Sequence, residues 1–149
     1  MNVAVAGLGF MGATHLKAWR QIPAARLVAV QSSDEAKLAG DLTSISGNLG
    51  SGGEKMDFSG IRKYGAVGAL LQDPDIDAID LCVPTDQHAP LAIAALRAGK
   101  HVFLEKPMAL DPSGADAVRR AAEESGRVLM VGHVLRFSPA YRRASKGLG

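Results

Sequence analysis

The chain has 149 residues, 47% hydrophobic and 5% aromatic, with 17 Lys and Arg against 15 Asp and Glu for a formal charge of +2. That length suits a single domain with a core of its own. The near-balance of charge excludes a strongly basic binding protein, and the densest basic stretch, Arg136, Arg142, Arg143 and Lys146, reads as a solvated helix face with no nucleic-acid motif beside it.

In chain order, an apolar strand at residues 2–6 runs into a helix over 10–21, stopped by Pro23. A second strand covers 26–30. Asp34 then caps a helix expected to continue from Glu35 to about Ile45. Residues 46–60, rich in Gly and Ser with little periodic apolar content, read as a flexible insertion, better explained as a tolerated surface loop than as a lid. A weak strand at 61–64 and a short helix at 67–72 follow. A strong buried strand runs from 78 to 83 and ends at Pro84, then a helix at 87–98 stops at Gly99. A strand at 101–105 precedes Asp111-Pro112, an N-cap with proline at the first helical position, and Gly126 closes that helix. The last strand is 128–132, and Ser138-Pro139 starts a final helix. Alternating strand and helix gives an α/β class, a doubly wound, mainly parallel sheet whose ligand crevice lies at the carboxyl ends of its strands.

Cys82 cannot form an internal disulfide, and within the apolar run 79–83 it is expected to be a small core hydrophobe. No Cys/His cluster has metal-ligand spacing, so no metal is expected. The N-terminus lacks a basic region before its apolar stretch, and nothing approaches the ~18 continuous apolar residues of a membrane span. The expected setting is cytoplasmic, without membrane or nucleic-acid partners.

The first strand runs straight into Gly7-Leu8-Gly9-Phe10-Met11-Gly12, a G-x-G-x-x-G turn opening a helix. Gly7 allows the tight turn, Gly9 admits a pyrophosphate against the backbone, and Gly12 lets the helix pack on the strand. The helix then aims free N–H groups and its positive end at phosphate. The plainer alternative is a glycine-rich βα turn without a ligand. At the end of strand 2, where an NAD site usually carries a carboxylate, stand Ser32 and Ser33, with Lys37 one turn into the next helix. Two hydroxyls and an ammonium suit a 2′-phosphate, which favours NADP over NAD; otherwise the serines merely form a turn.

The crevice rule also selects Val83-Pro84-Thr85-Asp86-Gln87-His88 after strand 4 and Glu105-Lys106-Pro107 after strand 5. With these, and with Leu27-Val28-Ala29-Val30, Asp75-Ile76-Asp77-Ala78-Ile79, Ala98-Gly99-Lys100-His101-Val102-Phe103-Leu104-Glu105-Lys106-Pro107-Met108, Val131-Gly132-His133 and Arg136-Phe137-Ser138-Pro139, the chain resembles the N-terminal Rossmann domain of the Gfo/Idh/MocA oxidoreductases, the family of glucose–fructose oxidoreductase and inositol dehydrogenase. The resemblance runs through essentially the whole chain. It implies a cofactor site made by Gly7, Gly9, Phe10, Met11, Gly12, Ser32, Ser33, Lys37, Val83, Pro84, Thr85, His88, Glu105 and Lys106. It also implies a catalytic Lys106 beside the nicotinamide and the substrate hydroxyl. An ammonium there stabilises alkoxide character and can exchange a proton. Pro107 disfavours helical geometry at Lys106 and so presents it from an extended strand end; the plain alternative is a solvent-facing lysine. Glu105 contacts the carboxamide, orients Lys106 or makes a simple ion pair. Pro84 and Thr85 are implied at the nicotinamide ribose, where many relatives carry Asn in place of Thr85. His88 is expected to be a hydrogen-bonding structural histidine.

The implied activity is hydride transfer to or from a secondary alcohol of a sugar, polyol or related small molecule, by an NAD(P)-dependent oxidoreductase. Residues 1–134 are expected to form the dinucleotide-binding domain and 135–149 the start of a linker or second domain, where relatives hold their substrate pocket. Without that half the expectation is dinucleotide binding with little or no turnover, the chain being a fragment, a truncated product or a single-domain protein. The alternative is a non-catalytic NAD(P)-binding or regulatory module assembling with another chain. The apolar last strand leads us to expect self-association or a homo-oligomer.

Overall fold

In the computed structural model, residues 1–46 and 53–146 are described. Six strands, β1 (Asn2–Ala6), β2 (Arg26–Gln31), β3 (Arg62–Tyr64), β4 (Ala78–Leu81), β5 (His101–Leu104) and β6 (Leu129–Val131), form one sheet in the order β3-β2-β1-β4-β5-β6. Every neighbouring pair is parallel. The helices are α1 (Phe10–Trp19), α2 (Glu35–Leu38), α3 (Val67–Leu71), α4 (His88–Arg97), α5 (Pro112–Ser125) and α6 (Pro139–Lys146). Chain order reverses between β1 and β4, which is the switch point at which a doubly wound sheet opens a crevice.

Strand alternation assigns the two faces. Ala4 and Ala6 of β1 and Ile79 and Leu81 of β4 pack with Ala92, Ala95 and Leu96 of α4 and Val118 and Ala121 of α5. Alanine on both sides brings helix close to sheet. Val5 turns to the other face and joins Leu8, Leu16 and Val30 under α1. Alternation also sends Asp80, between Ile79 and Leu81, to the α1 face, where it is fully buried. Burial of each large side chain here contributes on the order of 1.5–3 kcal/mol.

The helix ends follow local chemistry. Asp34 accepts from the Ala36 and Lys37 amides, and Asp111 accepts from Gly114 at 2.8 Å with Pro112 at the first helical position. Gly126, at φ 63°, closes α5. Two expectations fail. α2 stops at Leu38 rather than reaching Ile45, because Gly40 takes φ 94° and turns the chain. Residues 41–45 instead fold inward, burying Leu42 and Ile45. The supposed surface loop is also part of the core over its described portion. Met56 and Phe58 are only 8% and 3% exposed and pack with Leu42 and Ile45. The Met56 amide donates to the Gly40 carbonyl at 2.8 Å, and Asp41 and Lys55 form an antiparallel bridge. Residues 47–52 of that loop lie outside the described residues.

On the α1 side, α1 reaches β5 at Phe103, through His15 and Trp19, and leaves β6 open. A groove of about 610 Å³ lies there, lined by Trp19, Ile22, Val102, Phe103, Val128 and Met130. No described helix is long and apolar enough to cross a membrane.

If 53–60 is core rather than appendage, Phe58→Ala lowers stability by about 3 kcal/mol in urea unfolding. A change within about 0.5 kcal/mol, the usual range for a surface site, would return the segment to a tolerated loop.

Candidate functional site

The β1–α1 turn is shaped by close approach. Gly7 takes φ 91°, and a Cβ there would lie 2.4 Å from the Cys82 carbonyl oxygen. A Cβ on Gly12 would lie 1.9 Å from the Gly7 carbonyl oxygen. Gly9 differs: its backbone is extended, at φ −88° and ψ −164°, and an added Cβ would meet nothing within 4 Å. Two glycines serve the fold, and the third keeps the crevice floor bare. Gly9 caps α1 without a side-chain hydrogen bond, and the first turn holds no acidic residue. The free N–H groups and positive end of α1 therefore face the crevice unneutralised.

The crevice itself, about 780 Å³, opens at the carboxyl ends of β1, β2, β4 and β5. Every residue expected at a cofactor site lines it except Gly12, which lies behind the turn. Leu8 and Gln87, within the turn and loop already singled out but not named as site residues, line it too, as do Gln31, Val67 and Cys82. Gln31 and Gln87 obey the same strand-end rule and were findable; Val67, at the start of α3, carries no local signal. The bare backbone at Gly9, the uncapped helix end and the open crevice fit a dinucleotide pyrophosphate.

At the end of β2, Ser32 is buried, its amide donates to the Tyr64 carbonyl, and its hydroxyl oxygen accepts from the Asp34 amide at 3.1 Å. Asp34, the nearest carboxylate, is committed to capping α2. Ser33 is exposed, and the Lys37 ammonium stands 4.0 Å from Asp34 on the crevice wall.

Thr85–Gln87 form a single 3₁₀ turn after β4, leading into α4. The buried His88 ring bridges two loops, with Nδ1 2.6 Å from the Pro107 carbonyl oxygen and Nε2 2.9 Å from the Val83 carbonyl oxygen. It thereby ties the loop after β4 to Lys106-Pro107, whose peptide bond is cis. Lys106 is exposed and its ammonium pairs with no other described residue.

Behind this wall lies a polar cluster that sequence reasoning missed. Asp80 accepts from Trp19 Nε1 at 2.6 Å, from the Cys82 thiol at 3.4 Å and contacts His15 Nδ1 at 2.9 Å. The other ring nitrogen of His15 is 3.2 Å from Glu105 Oε1, while Glu105 Oε2 accepts from the Lys106 amide at 3.2 Å. Phe103 stacks on the His15 ring at 5.5 Å. Burial pulls the His15 pKa down, but the hydrogen bond and charge of Asp80, then those of Glu105, outweigh it and raise it above the ordinary value. Burial pushes the Cys82 thiol up, with Asp80 adding to the effect. Cys82 packs against the apolar cluster under α1, as expected of a small core hydrophobe, and its thiol also donates to the Asp80 carboxylate. Two signals were available: a charged residue inside an apolar strand, and His15 and Trp19 four apart on one helix face.

Among the described residues, His15, Asp80 and Cys82 also bring ligand-type atoms within 4.8 Å of one another, although spacing in sequence predicted no metal cluster. These atoms already hydrogen-bond to each other, and the thiol is held protonated. The cluster is a hydrogen-bond network.

Comparison with known proteins agrees with this architecture. The family model described as "Oxidoreductase family, NAD-binding Rossmann fold" (GFO_IDH_MocA) matches residues 1–133. The chain is 37% identical to a 4-carboxy-2-hydroxymuconate-6-semialdehyde dehydrogenase from a Sphingobium species, over 95% of this chain and 41% of that protein. It is 33% identical to scyllo-inositol 2-dehydrogenase (NAD(+)) from Bacillus subtilis, over 98% of this chain and 39% of that one. It thus spans about two-fifths of the length of these relatives. Among solved structures, scyllo-inositol dehydrogenase from Lactobacillus casei with bound NAD(H) and scyllo-inositol superposes with a TM-score of 0.80 at 26% identity, covering 98% of this chain and 40% of that one. A 3-ketoreductase variant from Actinomadura kijaniata in complex with TDP-benzene and NADP gives 0.81 at 27%, covering 99% and 43%. With its all-parallel sheet, its glycine turn and a family match over residues 1–133, the chain belongs to the Gfo/Idh/MocA oxidoreductase family through that family's NAD(P)-binding Rossmann domain.

Proposed function

We propose that this chain binds NADP in the β1/β4 crevice and supplies one wall of a hydride-transfer site acting on a secondary alcohol of a sugar, polyol or related small molecule. The observation that carries this is Lys106, an exposed ammonium with no partner among the described residues, on the same crevice whose floor is the bare backbone at Gly9. Bound NAD(P) would accept or supply the hydride. The first turn of α1 would receive the pyrophosphate on its N–H groups. Ser33 and Lys37, with Asp34 drawn into capping α2, would hold a 2′-phosphate. Lys106 would stabilise the oxygen of the reacting carbon as charge develops there and exchange its proton. His88 would hold the two loops in register without acting as an acid or base, because both of its ring nitrogens already face backbone carbonyls. Glu105, beneath Lys106, would orient that turn.

Relatives named for inositol oxidation support the polyol class, and NADP and NAD(H) complexes both occur among the structural neighbours. The open apolar groove beside β5 and β6 supports self-association: Val128 is 62% exposed there, next to Met130 and Ile22. Light scattering at micromolar concentration is expected to give more than one chain per particle, and a clean monomer would remove that part of the proposal.

Nicotinamide fluorescence titrations test the rest. Lys37→Ala is expected to weaken NADPH roughly tenfold, the loss of one charge-assisted contact, while NADH changes little. Equal weakening of both would set the NADP preference aside. Gly9→Ala is expected to keep the melting temperature of the native chain and to weaken both cofactors at least about tenfold, since only a ligand meets the new methyl. Gly12→Ala should instead lower stability, because its Cβ meets backbone. If the native chain binds neither cofactor below millimolar, the proposed function fails.

A further inference from the structure

His15 itself does not line the crevice, yet it touches Glu105, which does and which precedes Lys106. Two carboxylates, Asp80 and Glu105, are buried here at 0% and 6% exposure. A buried carboxylate needs donors and a counter-charge. Asp80 draws donors from Trp19 and Cys82, and Glu105 from the Lys106 amide. His15 stands between them, Nδ1 toward one carboxylate and Nε2 toward the other. A doubly protonated ring donates to both. A neutral ring donates to one and turns a lone pair on the other. The ring has little freedom to escape that choice, since Phe103 stacks on it and its own helix starts at the glycine turn. On the far side, Gly132 approaches so closely that a Cβ there would lie 3.1 Å from Glu105 Oε1.

We propose that His15 is a positioning residue: by bridging Asp80 and Glu105 it fixes the Glu105–Lys106 turn against α1, so that the nicotinamide end of the crevice is set by the charge on one imidazole. The effect on cofactor binding rests on the function proposed above; the effect on the turn does not. The titratable groups facing the ring are Asp80 from β4, Cys82 just after it and Glu105 from the end of β5, with His101 farther along the same groove. The sign follows from the raised pKa of His15. The bridge is complete below the unfolded value near 6.5 and is lost as pH rises through the higher folded value.

The test is a pH titration of the isotope-labelled chain by NMR, following the His15 ring and the Lys106 amide, with NADPH and 2′-phospho-ADP-ribose affinities measured on the same samples. The Lys106 amide is expected to shift in step with the His15 ring. NADPH affinity should fall about tenfold across that step, as for one lost charge-assisted hydrogen bond, while the ligand lacking nicotinamide changes less than about twofold. In His15→Gln both steps should vanish. In Asp80→Asn, which keeps an acceptor for Trp19 but removes a charge, they should move to lower pH, so the result survives if the first variant fails to fold. A Lys106 amide that stays flat while His15 titrates overturns the proposal, as does equal pH dependence for the two ligands. If the amide follows His15 but NADPH binds at no pH, the bridge stands and the proposed function falls.

Discussion

A side chain at Gly7 would meet the Cys82 carbonyl, and one at Gly12 would meet the carbonyl of Gly7 itself. The chain can therefore leave β1 and enter α1 only through a turn made of bare backbone pressed against the end of β4. That closeness sets much of the rest. It places the start of α1 at the switch point between β1 and β4, so the helix's unpaired N–H groups face the crevice rather than solvent at large. It also brings the first turns of α1 over β4, which lets His15 and Trp19 reach Asp80. The glycines are thus a packing constraint first, and the room for a ligand at Gly9 is its by-product.

The buried carboxylate of Asp80 is the second constraint, and it follows from the first. In the middle of a central strand it has no access to water, so the fold supplies donors from Trp19 of α1 and from Cys82 just past its own strand, and sets the His15 ring against it. His15 turns its other ring nitrogen to Glu105. The α1 side of the sheet therefore carries charge behind the crevice, while the α4 and α5 side is packed with alanine and branched aliphatic residues. The two faces divide between holding the sheet rigid and supporting the strand ends.

How much of this could be read from the chain depends on the range of the interaction. Asp34, Asp111 and Gly126 act within one turn of their helices, so caps and stops were legible, and the βα alternation made the doubly wound sheet legible as well. The end of α2 was not, because Gly40 looks like an ordinary weak helix residue until Met56 packs across from it. Met56 and Phe58 are isolated apolar residues among Gly, Ser and charged neighbours; no period marks them, and only the antiparallel contact at Asp41 and Lys55 shows why they are buried. The His15 cluster joins residues from α1, β4 and the end of β5, and strand register, not spacing, decides that they meet.

Two lysines flank β5, and their different fates bear on which one the proposed reaction would use. Lys100 enters the strand buried, and its ammonium donates to the Asp73 and Ile76 carbonyls at 2.6 and 2.8 Å, closing the loop before β4. Lys106 follows the strand at its carboxyl end, exposed and without a partner among the described residues, on a turn fixed from one side by His88 and from the other by Glu105. The first is a cation consumed by the fold. The second is a cation the fold holds by its backbone alone, and a free charge on a fixed backbone is what stabilising a developing alkoxide requires. Sequence presents both as lysines beside the same apolar strand; the carbonyls that Lys100 satisfies, and the crevice that Lys106 borders, are what separate a cation bound into the fold from one open to the proposed reaction.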